Sequence, residues 1–366
     1  MIQEAIAKVA EKRNLTEEEM TQAMEEITEG KVTPAQIGAF LIALRMKGES
    51  VDEIAAATRV VRAKTPPIPV AALDVCLDRD EINVDQETLM DTCGFEEECT
   101  RTFNVSTTTA FVVAAAGLRV AKHGYRYAAS RWGSADVLQA LGLPLDLTPR
   151  QMSECVDQVG IGFFYSSPAG GFMDHVFGPR REIGLRTIFN HVGPLTNPSL
   201  APIQVLGVYH EDLTEKLGQV LNKLGCKRGL VVYGQDSYDE LSITGPSTVT
   251  SLVNGDVTTR TLVPEDVGLR RARPEEILGG NSRENADITR KILKGERGGR
   301  RDIVLLNAAA VLVAAGKVDA LEDGIVQAAE SIDSGRALDK LERLLNVGAY
   351  KAGSSETPVG WGWGSQ

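Results

Sequence analysis

The chain has 366 residues, 43% of them hydrophobic and 24% charged, which describes a globular protein rather than a disordered one and leaves length for two domains. A formal charge of −11 argues against nucleic acid and anionic membranes as partners, so an anionic substrate needs local help from a metal, basic side chains or helix N-termini. No apolar run reaches the roughly 18 residues of a membrane span, and the N-terminal stretch is charged and amphipathic rather than a signal peptide, so a cytoplasmic location is expected.

Residues 1 to about 65 read as helices. Thr16 caps an acidic first turn of Glu17, Glu18 and Glu19, Pro34 takes a first helical position, and Ser50 opens a further capped start. Pro66, Pro67 and Pro69 then break the pattern at a domain junction. From about 70 onward, short β-type runs alternate with helical ones: TFNVST, AFVVAAAG, LRVAKHG and SADVLQALG, then IQVLGVYH, EDLTEKLGQVLNKLG and RGLVVYG. That alternation predicts an α/β fold whose mostly parallel sheet is flanked by helices. Between 148 and 196 the text is helical again, so a smaller all-helical domain is expected from two segments, 1–68 and 148–196. The α/β domain then takes 69–147 and 197–350, and the tail 351–366 is expected to be mobile. Five cysteines (Cys76, Cys93, Cys99, Cys155, Cys226) show no CxxC spacing; free thiols are expected, with a Cys93–Cys99 pair or metal site as the other reading.

Four stretches carry chemistry. At Asn104-Val105-Ser106-Thr107 a strand-like run ends in amide and hydroxyl side chains as a small-residue helix begins, which suits an anion but equally an ordinary N-cap. Lys122-His123-Gly124-Tyr125-Arg126 follows the next strand-like run, where open α/β sheets bind ligands; solvated turn charges are the alternative. Asp239 and Glu240 are adjacent carboxylates after a buried strand, suited to Mg²⁺ or to a plain acidic turn. Arg180, Arg181 and Arg186 fall within two helical turns, where a guanidinium fork can recognise a carboxylate or phosphate, or simply pair with Glu182.

Taken together and in order, these pieces resemble the anthranilate phosphoribosyltransferase family, which is related to the pyrimidine nucleoside phosphorylases. The matching strings are TFNVST (102–107), VAKHG (120–124), GSADVLQALG (133–142), RREIGLRTIFNHVGPLTNP (180–198), DELS (239–242), GGNSRENA (279–286) and LLNAAAVLVAAGK (305–317). The resemblance implies a cleft between a helical and an α/β domain, a homodimer joined through the helical domain, and Mg²⁺-assisted phosphoribosyl transfer from phosphoribosyl diphosphate to a small aromatic amine. By position it implies donor contacts from Gly94, Asn104, Ser106, Thr107, Lys122, Arg131 and Ser134. It implies acceptor contacts from His123, Tyr125 and Arg180, and metal contacts from Ser106, Asp239 and Glu240. No side chain is singled out as an acid or base; the mechanism it implies is mainly positional.

The chain departs from the family pattern at the pockets. The donor loop G-T-G-G-D-G is here Gly94-Phe95-Glu96-Glu97-Glu98-Cys99, and each like-charge contact with a diphosphate at about 5 Å would cost roughly 3 kcal/mol at an effective dielectric near 20. Tyr125 replaces an asparagine, Arg131-Trp132 replaces a lysine and a small residue, and Gly170-Gly171 replaces a His-Pro pair. Framework strings survive while both pockets change, which points to a relative retuned for another donor or acceptor. The ordinary anthranilate enzyme and a catalytically silent ligand- or nucleic-acid-binding paralogue are the alternatives.

Overall fold

The computed structural model describes residues 1–68, 76–78, 102–125, 133–166, 173–199, 201–235 and 239–352. Four helices open the chain: α1 (Ile2–Ala10), α2 (Glu17–Thr28), α3 (Pro34–Lys47) and α4 (Val51–Lys64). The caps read from the sequence at Thr16 and Ser50 form, and Thr33 before Pro34 caps in the same way. Thr16, Thr33 and Ser50 each accept from the backbone N–H three residues on, and Glu19, Gln36 and Glu53 reach back to the capping residue's own N–H.

Glu53 does more than cap. It is fully buried, accepts the Leu15 N–H at 2.9 Å and the Ser50 N–H at 2.8 Å, and pairs with buried Lys47 at 2.8 Å. Replacing it leaves a buried ammonium with one partner fewer and two backbone donors unsatisfied. Glu53→Ala is therefore expected to lower unfolding free energy by about 3–5 kcal/mol, read from the urea midpoint at unchanged slope.

Among the described residues that follow, a seven-stranded sheet and its covering helices form. The strands are β1 (Cys76–Asp78), β2 (Val120–Tyr125), β3 (Ile161–Ser166), β4 (Ile203–Gly207), β5 (Arg228–Gly234), β6 (Ser247–Val253) and β7 (Asp256–Leu262). Their order is β3-β2-β1-β4-β5-β6-β7; the first five run parallel and β6–β7 is an antiparallel hairpin at one edge. One face carries α5 (Val105–Ala115), α6 (Ser134–Leu141), α7 (Pro149–Val159), α11 (Ser282–Leu293), α12 (Gly299–Ala314), α13 (Leu321–Asp333) and α14 (Arg336–Ala352), packed with Phe111, Val120 and Phe163 in one apolar core. The other face carries α10 (Leu213–Lys223), through which Leu206, Val208 and Val231 join the core of the helical domain.

The expected second helical segment divides. Met173, Val176, Ile188, Phe189 and Leu195, on or beside α8 (Asp174–Ile183) and α9 (Ile188–Val192), do pack with α1–α4. Residues 149–166, by contrast, form α7 and strand β3, whose Met152, Cys155, Val156 and Phe163 belong to the α/β core. The helical segment thus begins near 173 rather than 148. Among the described residues no helix is long and apolar enough to cross a membrane, and Cys155 and Cys226 are free thiols. The Cys93–Cys99 reading, the Pro69 junction and the tail from 353 lie outside the described residues.

Candidate active site

Strand β4 ends at Gly207, and the chain after β5 returns to it. A methyl group at Gly207 would lie 1.7 Å from the Asp239 carbonyl oxygen, so only glycine lets the turn bearing Asp239 and Glu240 settle onto the strand end. The turn is fixed from the other side by Asn307 on α12. Its amide donates to the Leu241 carbonyl and accepts from the Leu241 N–H, both at 3.0 Å, and donates also to the Ile303 carbonyl at 2.8 Å. A carboxylate held between a glycine-floored strand end and a doubly bonded amide is pre-oriented rather than mobile.

Glu240 is 3% exposed. It lines, with Asp239, Ser106, Thr109 and Asn307, a cavity of about 40 Å³ otherwise walled by Val205, Leu230, Val232 and other apolar groups. That is room for an ion or one to two waters, not for a substrate. Ser106 and Thr109 stand one turn apart on α5, so both hydroxyls address the same space. The Thr109 hydroxyl is buried and has no hydrogen-bond partner among the described residues. The oxygen-rich side of this cavity is what a hard divalent cation needs.

Asn104 opens α5 without capping it through its side chain; instead its amide oxygen accepts from Asn285 at 3.0 Å, and Asn285 in turn accepts the Gly280 N–H at 2.7 Å. The helix start is therefore aimed by the GGNSRENA segment, with Thr108 tied to Thr289 of α11 at 2.9 Å. Thr107 is fully buried, its hydroxyl without a hydrogen bond among the described residues, so in this arrangement it offers an approaching donor only its backbone.

Lys122 and His123 lie within β2 rather than after it, because the strand runs on to Tyr125 in register with Ser166. Both side chains are buried and alternate to opposite faces of the sheet. The alternative reading of Lys122 and His123 as solvated turn charges is thus not what the structure shows. Ser134 at the start of α6 accepts from the Tyr165 hydroxyl at 2.8 Å. Arg180 on α8 is 3% exposed, its guanidinium 5.4 Å from the Phe189 ring centroid and 3.5 Å from the Asn190 amide oxygen. Gly94, Arg131 and the substituted positions Glu96, Glu97, Glu98, Cys99, Trp132, Gly170 and Gly171 lie outside the described residues, as does the Tyr125 side chain.

The structure brings Ser106 together with Asp239 and Glu240 and couples Asn104 to the same helix. Sequence reading missed Gly207, Thr109, Asn285 and Asn307. The signal available for Asn307 was one amide inside the otherwise apolar run LLNAAAVLV, and for Asn285 a second amide four residues after Asn281.

Both units correspond to known domains. Residues 3–65 match the helical bundle domain of the glycosyl transferase family and residues 86–338 match its α/β domain, which defines the class as glycosyl transferase. The anthranilate phosphoribosyltransferase of Geotalea uraniireducens is 53% identical over 347 residues, 95% of this chain and 99% of that protein; the Citrifermentans bemidjiense protein of the same name is 53% identical over 345. The chain belongs to the anthranilate phosphoribosyltransferase family and is a phosphoribosyltransferase. Among solved structures, the anthranilate phosphoribosyltransferase of Thermus thermophilus superposes with a TM-score of 0.82 at 38% identity, covering 94% of this chain and 99% of that one. That of Saccharomyces cerevisiae, in complex with PRPP and Mg, superposes at 0.80 with 25% identity, covering 95% and 98%.

Proposed function

We propose that the protein transfers the 5-phosphoribosyl group of phosphoribosyl diphosphate to anthranilate and releases diphosphate. The observation that carries this reading is the meeting of Ser106, Asp239 and Glu240 around one cavity at the ends of parallel strands, in a chain 53% identical to relatives named for that reaction. Mg²⁺ fits the donor set, since the cavity offers a buried carboxylate, a second carboxylate and two hydroxyls, one of them without a hydrogen bond among the described residues. Asp239, Glu240 and Ser106 would hold it, and when bound it offsets charge on the leaving diphosphate.

The chain's own residues orient both substrates. The start of α5, aimed by Asn285, presents N–H groups and Asn104 to the phosphates, and Lys122 and Ser134 extend the donor side. Arg180, steadied over Phe189, is the partner for the acceptor carboxylate, with His123 and Tyr125 beside the acceptor. As the bond from C1 to the diphosphate oxygen breaks and the anthranilate nitrogen bonds to C1, the ribosyl carbon becomes cationic. Closure of the helical domain over the sheet would keep water from that carbon. Assembly as a cytoplasmic homodimer through the helical domain belongs to the same proposal, and light scattering checks the dimer.

One observation favours a second reading. Glu96, Glu97 and Glu98 stand where family members carry glycine or aspartate, which supports a changed donor. A coupled experiment separates the two: anthranilate consumption is followed by fluorescence with phosphoribosyl diphosphate and Mg²⁺, and donor binding by calorimetry. Metal-dependent consumption is expected. Donor binding without consumption would transfer support to another acceptor, and the absence of both signals would support a changed donor or a silent paralogue.

A further inference from the structure

A second cavity, of about 400 Å³, opens on the opposite face of the sheet from Glu240, where the C-terminal end of α3, the α8–α9 loop and the start of α10 meet. Its walls carry three permanent cations, Arg45, Arg186 and Lys216, against the carboxylates of Glu49 and Asp212. In a chain of net charge −11 this is a locally cationic hollow. Lys216 forms no ion pair among the described residues. The Arg186 guanidinium is laid 3.8 Å from the Tyr209 ring centroid, and the Arg186 carbonyl accepts from Arg45, so two of the cations are fixed in place.

His191 supplies the second line of argument. It is 7% exposed and its ring stacks on Tyr209 at 6.2 Å. Its Nε2 is 4.0 Å from a Glu49 carboxylate oxygen, beyond hydrogen-bond reach, and it has no other polar partner among the described residues. The ring lines the cavity, so a molecule bound there can supply the acceptor for its N–H. Burial first, then Lys216, Arg186 and Arg45, hold its pKa down at about 4, so the ring is neutral near pH 7. Burial pushes the Glu49 carboxyl up, and exposed His210 faces Asp212 at 3.6 Å. Three permanent cations thus face two carboxylates across the hollow, a surplus of positive charge that an anion bound there would offset.

We infer that this pocket binds a small phosphate-bearing anion, with Arg186 and Lys216 as its charge partners and His191 as a hydrogen-bond donor. A phosphate oxygen matches the planar guanidinium fork and the ammonium of Lys216, and it gives the His191 N–H its missing acceptor. The site is separate from the carboxylate cavity. Val205 and Gly207 of β4 line that cavity on the α5 face, whereas Leu206, Val208 and Tyr209 pack toward α10.

The test is NMR of the four histidines of the full-length protein, titrated without divalent metal against inorganic phosphate and, in a separate arm, ribose 5-phosphate. Saturable shifts at the His191 ring are expected, with its titration midpoint rising from about 4, because a nearby anion favours the imidazolium. Lys216→Gln and Arg186→Gln are each expected to weaken binding about tenfold, with the melting temperature of the half-buried Lys216 variant close to that of the parent. Tighter binding of the ester identifies a sugar-phosphate ligand, and equal binding identifies the free ion. No saturable shift at tens of millimolar phosphate, or binding that both variants leave intact, overturns the assignment.

Discussion

Glu240→Gln is expected to lower kcat/KM for phosphoribosyl transfer by about a hundredfold or more while leaving a cooperatively folded protein. The side chain is 3% exposed and lines the small cavity with Ser106, Thr109 and Asp239. Glutamine keeps its volume, so Asn307 still holds Leu241 and the turn stays in place. What goes is the charge. A neutral amide is a weak ligand for a hard cation, so the Mg²⁺ concentration giving half-maximal rate should rise together with the loss of rate. The measurement is therefore a Mg²⁺ titration of the initial rate. A glutamine variant with wild-type metal dependence would remove Glu240 from the metal site and leave the cavity as a structural void.

How much of this was legible beforehand depends on the sequence range of the forces involved. Thr16 and Ser50 announced their helices because a cap and its N3 partner are three residues apart, and Pro34 announced α3 by its place at a first helical position. Asp239 and Glu240 were visible as a carboxylate pair, and Ser106 as a hydroxyl at a helix start. Their meeting was implied only by the resemblance and not by the residues themselves, because it is made by Asn307, 66 residues from Leu241, and by Gly207 on another strand. Likewise the aim of Asn104 comes from Asn285, 181 residues away. Residues 149–166 misled for a different reason. The amphipathic helix α7 was readable, but the six-residue strand β3 is a short apolar run that periodicity cannot assign, and neither states which core it joins. For Lys122 and His123 solvated turn charges stayed open as an alternative because charge suggests solvent, whereas the strand carries both into the interior. The family resemblance supplied the roles. The fold supplies the residues that hold those roles in position.

Gly207→Ala tests that last statement with the smallest available perturbation. The added Cβ would sit 1.7 Å from the Asp239 carbonyl oxygen and 2.6 Å from its carbonyl carbon, both backbone atoms that no rotamer change can move. The turn must lift by more than an ångström, and Asn307 resists because its amide grips Leu241 by both N–H and C=O. The expected result is a loss of about a hundredfold in kcat/KM from misplacement of Asp239 and Glu240, with a stability cost of about 1–3 kcal/mol from the overpacked contact. Gly38→Ala is the matched control. It adds the same methyl inside α3, where nothing lies within 4 Å, and should stabilise by up to about 1 kcal/mol through helix propensity without changing the rate. Should Gly207→Ala also retain full activity and Mg²⁺ dependence, the acidic turn would not need its seat on β4, and the geometric account of the site would fail at its base.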